Sequence, residues 1–153
     1  MSKDNAVMGG VLAVIVIGLL GVFMLGNSGQ TSKTSTTTGE VISEAGVHWH
    51  PTLELVVKGQ KTAIPKNIGL GRGEMKVHTH ADLPLIHYEY SNGPVTKDMA
   101  KLGIFFTTWG KKFSSSQLLD TTGSVSMTVN GKDNKDFENY IVKDNDKIVI
   151  RVD

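Results

Sequence analysis

The chain has 153 residues, enough for one ordinary domain, and a formal net charge of +1. It contains no cysteine, which excludes disulfides, thiolate metal sites and cysteine nucleophiles. From Glu40 onward, 14 basic residues balance 14 acidic ones, and this balance argues against a nucleic-acid-binding protein, whose contact surface is basic.

The N-terminal part of the chain contains a segment long enough to cross a membrane. Residues 6–25 form a run of 20 positions without a charged or strongly polar side chain, and about 20 apolar residues in a helix span the hydrocarbon core of a bilayer. Residues 6–26 are therefore predicted to form a single transmembrane anchor. Residues 1–5 are short and carry one lysine, which favours a cytoplasmic N-terminus and an extracytoplasmic remainder.

Two other interpretations of this segment stay open. A cleaved secretory signal has an apolar region of roughly 7–15 residues before a small-residue cleavage site, and the sequence after Leu25 offers only a poor site of that kind. A pilin-like leader would be cut near Gly9 or Gly10, but no acidic residue interrupts the start of the apolar run. The length of the run favours the uncleaved anchor.

Residues 27–46 are predicted to be a linker. The stretch NSGQTSKTSTTTG at its start is rich in serine and threonine and has no apolar side chains to bury. Residues 47–153 then remain for a folded domain that this tether holds off the membrane surface.

The predicted domain begins with alternating apolar and polar residues, which indicate a strand over 47–57. Trp49 and Leu53 fall on one parity of this strand, and His48 and His50 fall on the other. Because successive side chains of a strand point to opposite faces, we expect the apolar set to face the core and the histidines to face away from it.

A second pair of histidines follows the same pattern. Within residues 76–82, Val77 and Thr79 alternate with His78 and His80. We again expect a strand whose histidines share one face.

The segments around this second pair predict further strands and turns. A hairpin turn is expected at residues 58–61 and a glycine-rich loop at residues 67–73. The loop precedes a strand and does not open a helix, so it lacks the context of a phosphate-binding loop; we expect a turn beside the histidines. A strand over 85–90 places His87 and Glu89 on one face.

One helix is predicted over residues 96–110. Its apolar face consists of residues at the spacing i, i+3, i+4 and i+7, namely Leu102, Phe105, Phe106 and Trp109. Thr96 is the predicted N-cap, and Gly110 supplies the stop.

The C-terminal part predicts a strand at 124–129, where apolar and polar residues alternate, and further strands at 140–142 and 148–152. A hairpin, a central helix and then paired strands follow each other in the order of a β-grasp fold. The predicted fold class is therefore α+β: an N-terminal single transmembrane helix, followed by a small β-grasp-like mixed sheet with one packed helix.

Two resemblances accompany these patterns. The segments MTVNG and YIVKDNDKIVI are similar to the "VNG … L-x-DGD-x-V-x-I" ending of β-grasp sulfur carriers. Those proteins act through a C-terminal Gly-Gly, whereas this chain stops at Arg151-Val152-Asp153. The resemblance therefore implies the ubiquitin-like fold without the sulfur-carrier function.

The second resemblance covers most of residues 47–150. The motifs VHWHP-x-L, NIG, HTH, IHYE, LG-x-FF-x-x-WG-x-x-F and VNG … ENY together resemble an uncharacterised family of membrane-anchored, histidine-rich archaeal and bacterial proteins. This resemblance implies a membrane anchor and brings no activity with it.

The histidines are the best candidates for a functional site because they are clustered in the sequence. All five lie between residues 48 and 87: His48, His50, His78, His80 and His87. If the two H-x-H strands were neighbours about 4.8 Å apart, four imidazoles could converge on one ion.

The ligand type predicts which ions such a site would take. Imidazole nitrogen suits zinc and copper where thiolates are absent, so we predict a copper or zinc site, with extracytoplasmic exposure favouring copper. Glu89 and Asp82 are the predicted additional ligands or groups that orient the histidines.

Two other functions stay open at this point. The domain could be a tethered adhesion or interaction module that meets a protein or glycan without a metal. It could also be a hydrolase or lyase, in which three histidines hold a metal with an open position and Glu89 or Glu54 acts as base. Membrane-tethered metal binding without catalysis is the preferred hypothesis.

Overall fold

The structure is a computed structural model that describes residues 39–71 and 73–153. The predicted transmembrane anchor, residues 6–26, lies outside the described residues, as does the linker up to residue 38. Among the residues described, no helix is both long and apolar enough to cross a membrane.

Strands dominate the described part of the chain and one α-helix accompanies them, so the predicted α+β class is confirmed. The strands are β1 Val41–Ser43, β2 Val47–Trp49, β3 Thr52–Val57, β4 Gln60–Thr62, β5 Val77–His78, β6 His87–Tyr90, β7 Val95–Thr96, β8 Phe113–Ser114, β9 Gln117–Leu118, β10 Thr121–Thr122, β11 Val125–Val129, β12 Lys132–Asn134 and β13 Lys147–Val152. The helix, α1, spans Leu102–Trp109. Because β1 lies within the predicted linker, regular structure begins before residue 47.

Five of these strands form a mixed sheet in the order β12-β11-β13-β3-β4. β13 runs parallel to β3, and the other neighbours are antiparallel. The predicted hairpin joins β3 to β4 through Lys58 and Gly59, whose φ angles are 50° and 75°. A second tight turn, at Asn130 and Gly131 with φ angles of 52° and 78°, joins β11 to β12, as an Asn-Gly pair favours.

One hydrophobic cluster joins this sheet to α1. Each of its central side chains is at most 1% exposed, and they alternate along β3 and β13 or line one side of α1: Leu53, Leu55, Ile148, Ile150, Leu102, Phe105 and Phe106. Full burial of a side chain of this size contributes about 1.5–3 kcal/mol. The alternation predicted for residues 47–57 is therefore confirmed in β3.

The start of the helix differs from the prediction. Thr96, the predicted N-cap, lies in β7, where it is 2% exposed and pairs with Val41 of β1. A short 3₁₀ turn, Asp98–Ala100, follows, and Lys101 then adopts an extended conformation before α1. Pairing with β1 holds Thr96 away from the helix, which begins six residues later. Gly110 ends the helix as expected, with a φ of 71°.

The strand predicted at residues 140–142 is wrong. Tyr140 follows a 3₁₀ turn, and only Ile141 makes a ladder contact, a single bridge to Lys101. The buried carboxylate of Asp146 accepts hydrogen bonds at 2.8 Å from both the Tyr140 hydroxyl and the Lys143 backbone N–H. These bonds fold the segment into a turn, where a strand would have kept it extended.

The strand predicted over 47–57 is two strands that belong to different sheets. β2 pairs with β6, whereas β3 pairs with β13 and β4. Pro51, between them, has no N–H to donate to a ladder, and its carbonyl accepts the Ile86 N–H at 2.9 Å. The break places His50 at the junction of the two sheets.

Candidate metal centre

The histidines meet on a separate three-stranded sheet of order β2-β6-β5. His48 of β2 is paired with Glu89 of β6, and His78 of β5 is paired with His87 of β6. The condition that the two H-x-H strands be direct neighbours is not met, because β6 lies between them. Its own histidine, His87, is therefore at the centre of the cluster.

The exposure of the histidines differs sharply across this sheet. The side chain of His48 is 67% exposed and that of His80 is 42% exposed, whereas His78 is fully buried and His87 nearly so, at 8%. The expectation that the histidines face away from the core is confirmed for His48, which is exposed, whereas His78 is covered although the neighbouring Val77 is the core residue. The glycine-rich loop explains the burial, because Gly69 packs so closely that an added Cβ would lie 3.1 Å from His78 Cβ.

One group of potential ligands lies around β2 and β6. One donor atom from each of His48, His50, His87 and Glu89 falls within 4.8 Å of those of the other three. Glu89 Oε1 is 2.9 Å from His48 Nε2 and 3.1 Å from His87 Nδ1. The His50 ring lies between its neighbours, with its centroid 4.7 Å from that of His48 and 4.8 Å from that of His87.

Asp82 holds the other nitrogen of His87. The Nε2 atom lies 3.3 Å and 3.2 Å from the two Asp82 carboxylate oxygens. Both ring nitrogens of His87 therefore lie within hydrogen-bond distance of a carboxylate. When Nδ1 loses its proton to ligate an ion on the side of Glu89 and His48, the remaining N–H stays on Nε2, directed at Asp82. A carboxylate that orients a ligating histidine in this way is a common feature of metal sites. The predicted role of Asp82 fits this position.

A second group lies around β5. His78 donates its Nδ1–H to the Met75 carbonyl at 2.7 Å, because a carbonyl oxygen can only accept. Its Nε2 therefore carries a lone pair, and this atom lies 3.1 Å from His80 Nε2. A donor atom of His87 is also within 4.8 Å of both. Two imidazole nitrogens at this distance suit either a hydrogen bond or two ligands of one ion.

Glu74 lies beside this second group, and the sequence analysis did not identify it as a candidate ligand. Its Oε1 lies 3.3 Å from His78 Nε2 and 3.6 Å from His80 Nε2. A bridge between Leu70 and Glu74 and a 2.9 Å hydrogen bond from the Met75 N–H to the Gly69 carbonyl hold the loop in place. The only sequence signal was an acidic residue four positions before His78, at the end of the glycine-rich loop.

The histidines hold two carboxyl groups in their ionised form. Burial raises the pKa of Glu89, but the hydrogen bond from His87 and the positive charge of nearby histidines outweigh it and bring that pKa below its usual value. The hydrogen bond from His87 also lowers the pKa of Asp82, against a smaller opposing effect of burial. Both groups therefore supply negative charge next to the imidazoles at neutral pH.

Glu54, considered as a catalytic base, belongs to neither group among the described residues. Its carboxylate pairs with Lys61 Nζ at 2.7 Å on the β3–β4 hairpin. The structure therefore gives it no role beside the histidines.

Comparisons with protein-family models, with curated proteins and with solved structures find no match to this chain. The geometry of the histidine face is thus the basis for a functional assignment. We define this face as the five histidines together with Glu74, Asp82 and Glu89.

Proposed function

We propose that this protein is a membrane-tethered, extracytoplasmic metal-binding protein that holds copper or zinc on its histidine face. The observation that carries the proposal is the convergence of all five histidines, spread over 40 residues of sequence, on and beside one small sheet. Histidines that served only as polar surface residues would not be expected to cluster on one side of a sheet. Nitrogen and carboxylate donors without thiolates are a ligand set that zinc and copper(II) both accept.

The protonation pattern of the face supports the same proposal. Nδ1–H of His78 is committed to the Met75 carbonyl, and Nε2 of His87 lies against Asp82. Each arrangement fixes one nitrogen of a buried ring and directs the other nitrogen toward other potential ligands. Orientation of ligands by carboxylates and carbonyls typically contributes 10–100-fold to metal affinity, as an order-of-magnitude range.

The β-grasp assignment of the domain is part of the proposal. Its support is the strand order β12-β11-β13-β3-β4, in which the C-terminal strand lies parallel to the first strand of an N-terminal hairpin. In a β-grasp fold of this kind, the three-stranded sheet that carries the histidines is an addition to the five-stranded sheet.

Calorimetric titration of the full chain in detergent micelles with Cu²⁺ and with Zn²⁺ tests metal binding. We expect saturable binding that weakens by about 100-fold or more in the double variant His48→Ala/His78→Ala, because ligands are lost from both groups. Glu54→Gln, which removes a carboxylate outside the histidine face, is the matched control and should bind like the wild type. Equal binding by the double variant and the wild type would reject the proposal.

The tether is tested independently of the metal. Protease added to intact cells should cut the C-terminal domain, and deletion of residues 1–26 should release the protein from the membrane fraction. A domain that becomes accessible only after lysis would contradict the extracytoplasmic location, whatever the metal titration shows.

A further inference from the structure

We infer that the histidine face binds two metal ions at once and that Glu74 is a ligand of the second ion. This inference rests on the proposed metal binding and adds its stoichiometry and a ligand that the histidine pattern does not include. The first site consists of His48, His50, His87 and Glu89; the second site consists of Glu74, His78 and His80.

The donor atoms of the second site have the separations of one face of a coordination tetrahedron. The distances are 3.1 Å between His78 Nε2 and His80 Nε2, and 3.3 Å and 3.6 Å from these atoms to Glu74 Oε1. A circle through three such atoms has a radius of about 1.9 Å, so an ion about 2.05 Å from each lies about 0.7 Å from their plane, as in tetrahedral zinc. The three groups therefore need little movement to coordinate an ion.

The hydrogen bonds of His87 assign this residue to the first site. Its Nε2 faces Asp82 at 3.2 Å, while its Nδ1 lies 3.1 Å from Glu89 Oε1, the oxygen that also contacts His48. With the N–H of Nε2 kept on Asp82, Nδ1 is the nitrogen that ligates, and it lies beside Glu89 and His48 of the first site. The second site is then completed by Glu74, and the two sets of ligands share no residue.

The two sites are adjacent, and three carboxylates offset most of the charge of two divalent ions. The His78 and His87 rings stack with centroids 5.1 Å apart, and the His80 and His87 centroids are 4.8 Å apart. Two divalent ions this close repel each other unless anionic groups surround them. Glu74, Glu89 and Asp82 supply such groups, one in each site and one behind His87.

The second site has three protein ligands, whereas the first site has four. The side chain of Glu74 is 56% exposed and that of His80 is 42% exposed. Three protein ligands leave a fourth position of a tetrahedral ion for water or an exchangeable ligand. The second ion should therefore exchange with solution faster than the first.

The test is the zinc stoichiometry of the full chain in detergent micelles, measured by elemental analysis after removal of unbound metal. We expect two Zn²⁺ per wild-type chain, two for the control Glu54→Gln, and one for Glu74→Gln. Because Glu74 lies at the surface, its replacement leaves the core intact, which circular dichroism verifies.

The other possible outcomes show whether the two-ion inference, the role of Glu74 or the proposed metal binding is wrong. One ion in both the wild type and Glu74→Gln overturns the two-ion inference and leaves metal binding in place. Two ions in Glu74→Gln overturn the role of Glu74. No ion in the wild type overturns the proposed function and the inference together.

A spectroscopic experiment tests the proximity of the two ions. Wild-type protein loaded with Cu²⁺ should give an electron paramagnetic resonance spectrum broadened by dipolar coupling between neighbouring ions. Glu74→Gln should give the spectrum of isolated Cu²⁺. Sharp, uncoupled spectra from a wild type that binds two ions would contradict adjacent sites.

Discussion

His78 donates its Nδ1–H to the backbone carbonyl of Met75 at 2.7 Å, and its side chain is fully buried. This single bond links the strand β5 to the loop that carries Glu74. It also decides which nitrogen of His78 faces the other ligands, because a neutral imidazole has one N–H. The ring therefore has a structural role in addition to the ligand role that we propose for it.

The structural role predicts that His78→Ala is destabilising even in the presence of a chelator. The change leaves a cavity at a buried side chain and removes the donor to the Met75 carbonyl, and we expect a loss of about 2–4 kcal/mol in the free energy of unfolding. Urea unfolding followed by tryptophan fluorescence measures this loss. His48→Ala is the control, since a largely exposed side chain should change stability by less than about 0.5 kcal/mol. Similar losses in both variants would contradict the buried position of His78.

Removal of metal should lower the thermal stability of the protein. A ligand that binds only the folded state at 100 times its dissociation constant adds about 2.7 kcal/mol per site. We expect excess Zn²⁺ to raise the melting temperature, a chelator to reverse the rise, and His48→Ala/His78→Ala to show a much smaller rise. Scanning calorimetry of the full chain measures all three. An equal rise in the double variant would indicate binding elsewhere on the surface.

The parts of the site that follow from sequence are those set by local periodicity. Alternation placed Trp49 toward the core and His48 away from it, and it placed His87 and Glu89 on one face. Such statements need only the geometry of one strand. The spacing of the aromatic residues around Phe105 likewise identified α1, because it needs only the geometry of one helix.

The parts that did not follow from sequence depend on contacts between distant segments. The position of β6 between the two H-x-H strands is set by which strands pair, and local patterns do not carry strand order. Thr96 was a suitable N-cap by type, but its pairing with Val41 placed it in a strand. Glu74 lies beside the histidines because of the fold of the glycine-rich loop, which the sequence pattern did not indicate.

The hydrogen bond between Tyr140 and Asp146 predicts a loss of stability at high pH. Burial raises the pKa of Tyr140, and the Asp146 carboxylate raises it further. Because the folded-state pKa lies above the unfolded value of about 10, this contribution to stability is present below pH 10 and is lost as the pH rises above it. Urea unfolding at pH 8 and pH 11 should therefore show a smaller decrease for Tyr140→Phe than for the wild type. An identical decrease would mean that other groups control alkaline unfolding.

The glycine-rich loop predicts a difference between two neighbouring glycines. Gly69 has a φ of 76°, and an added Cβ would lie 2.8 Å from the Val77 carbonyl, whereas a Cβ at Gly71 would meet nothing within 4 Å. We expect Gly69→Ala to cost about 2 kcal/mol or more, since left-handed backbone alone costs about 1–2 kcal/mol with a side chain, and to displace Glu74 from His78. Gly71→Ala should be near neutral. Urea unfolding in chelator measures the first effect, and zinc stoichiometry measures the second. If both variants keep wild-type stability and two zinc ions, the loop does not hold the second site together.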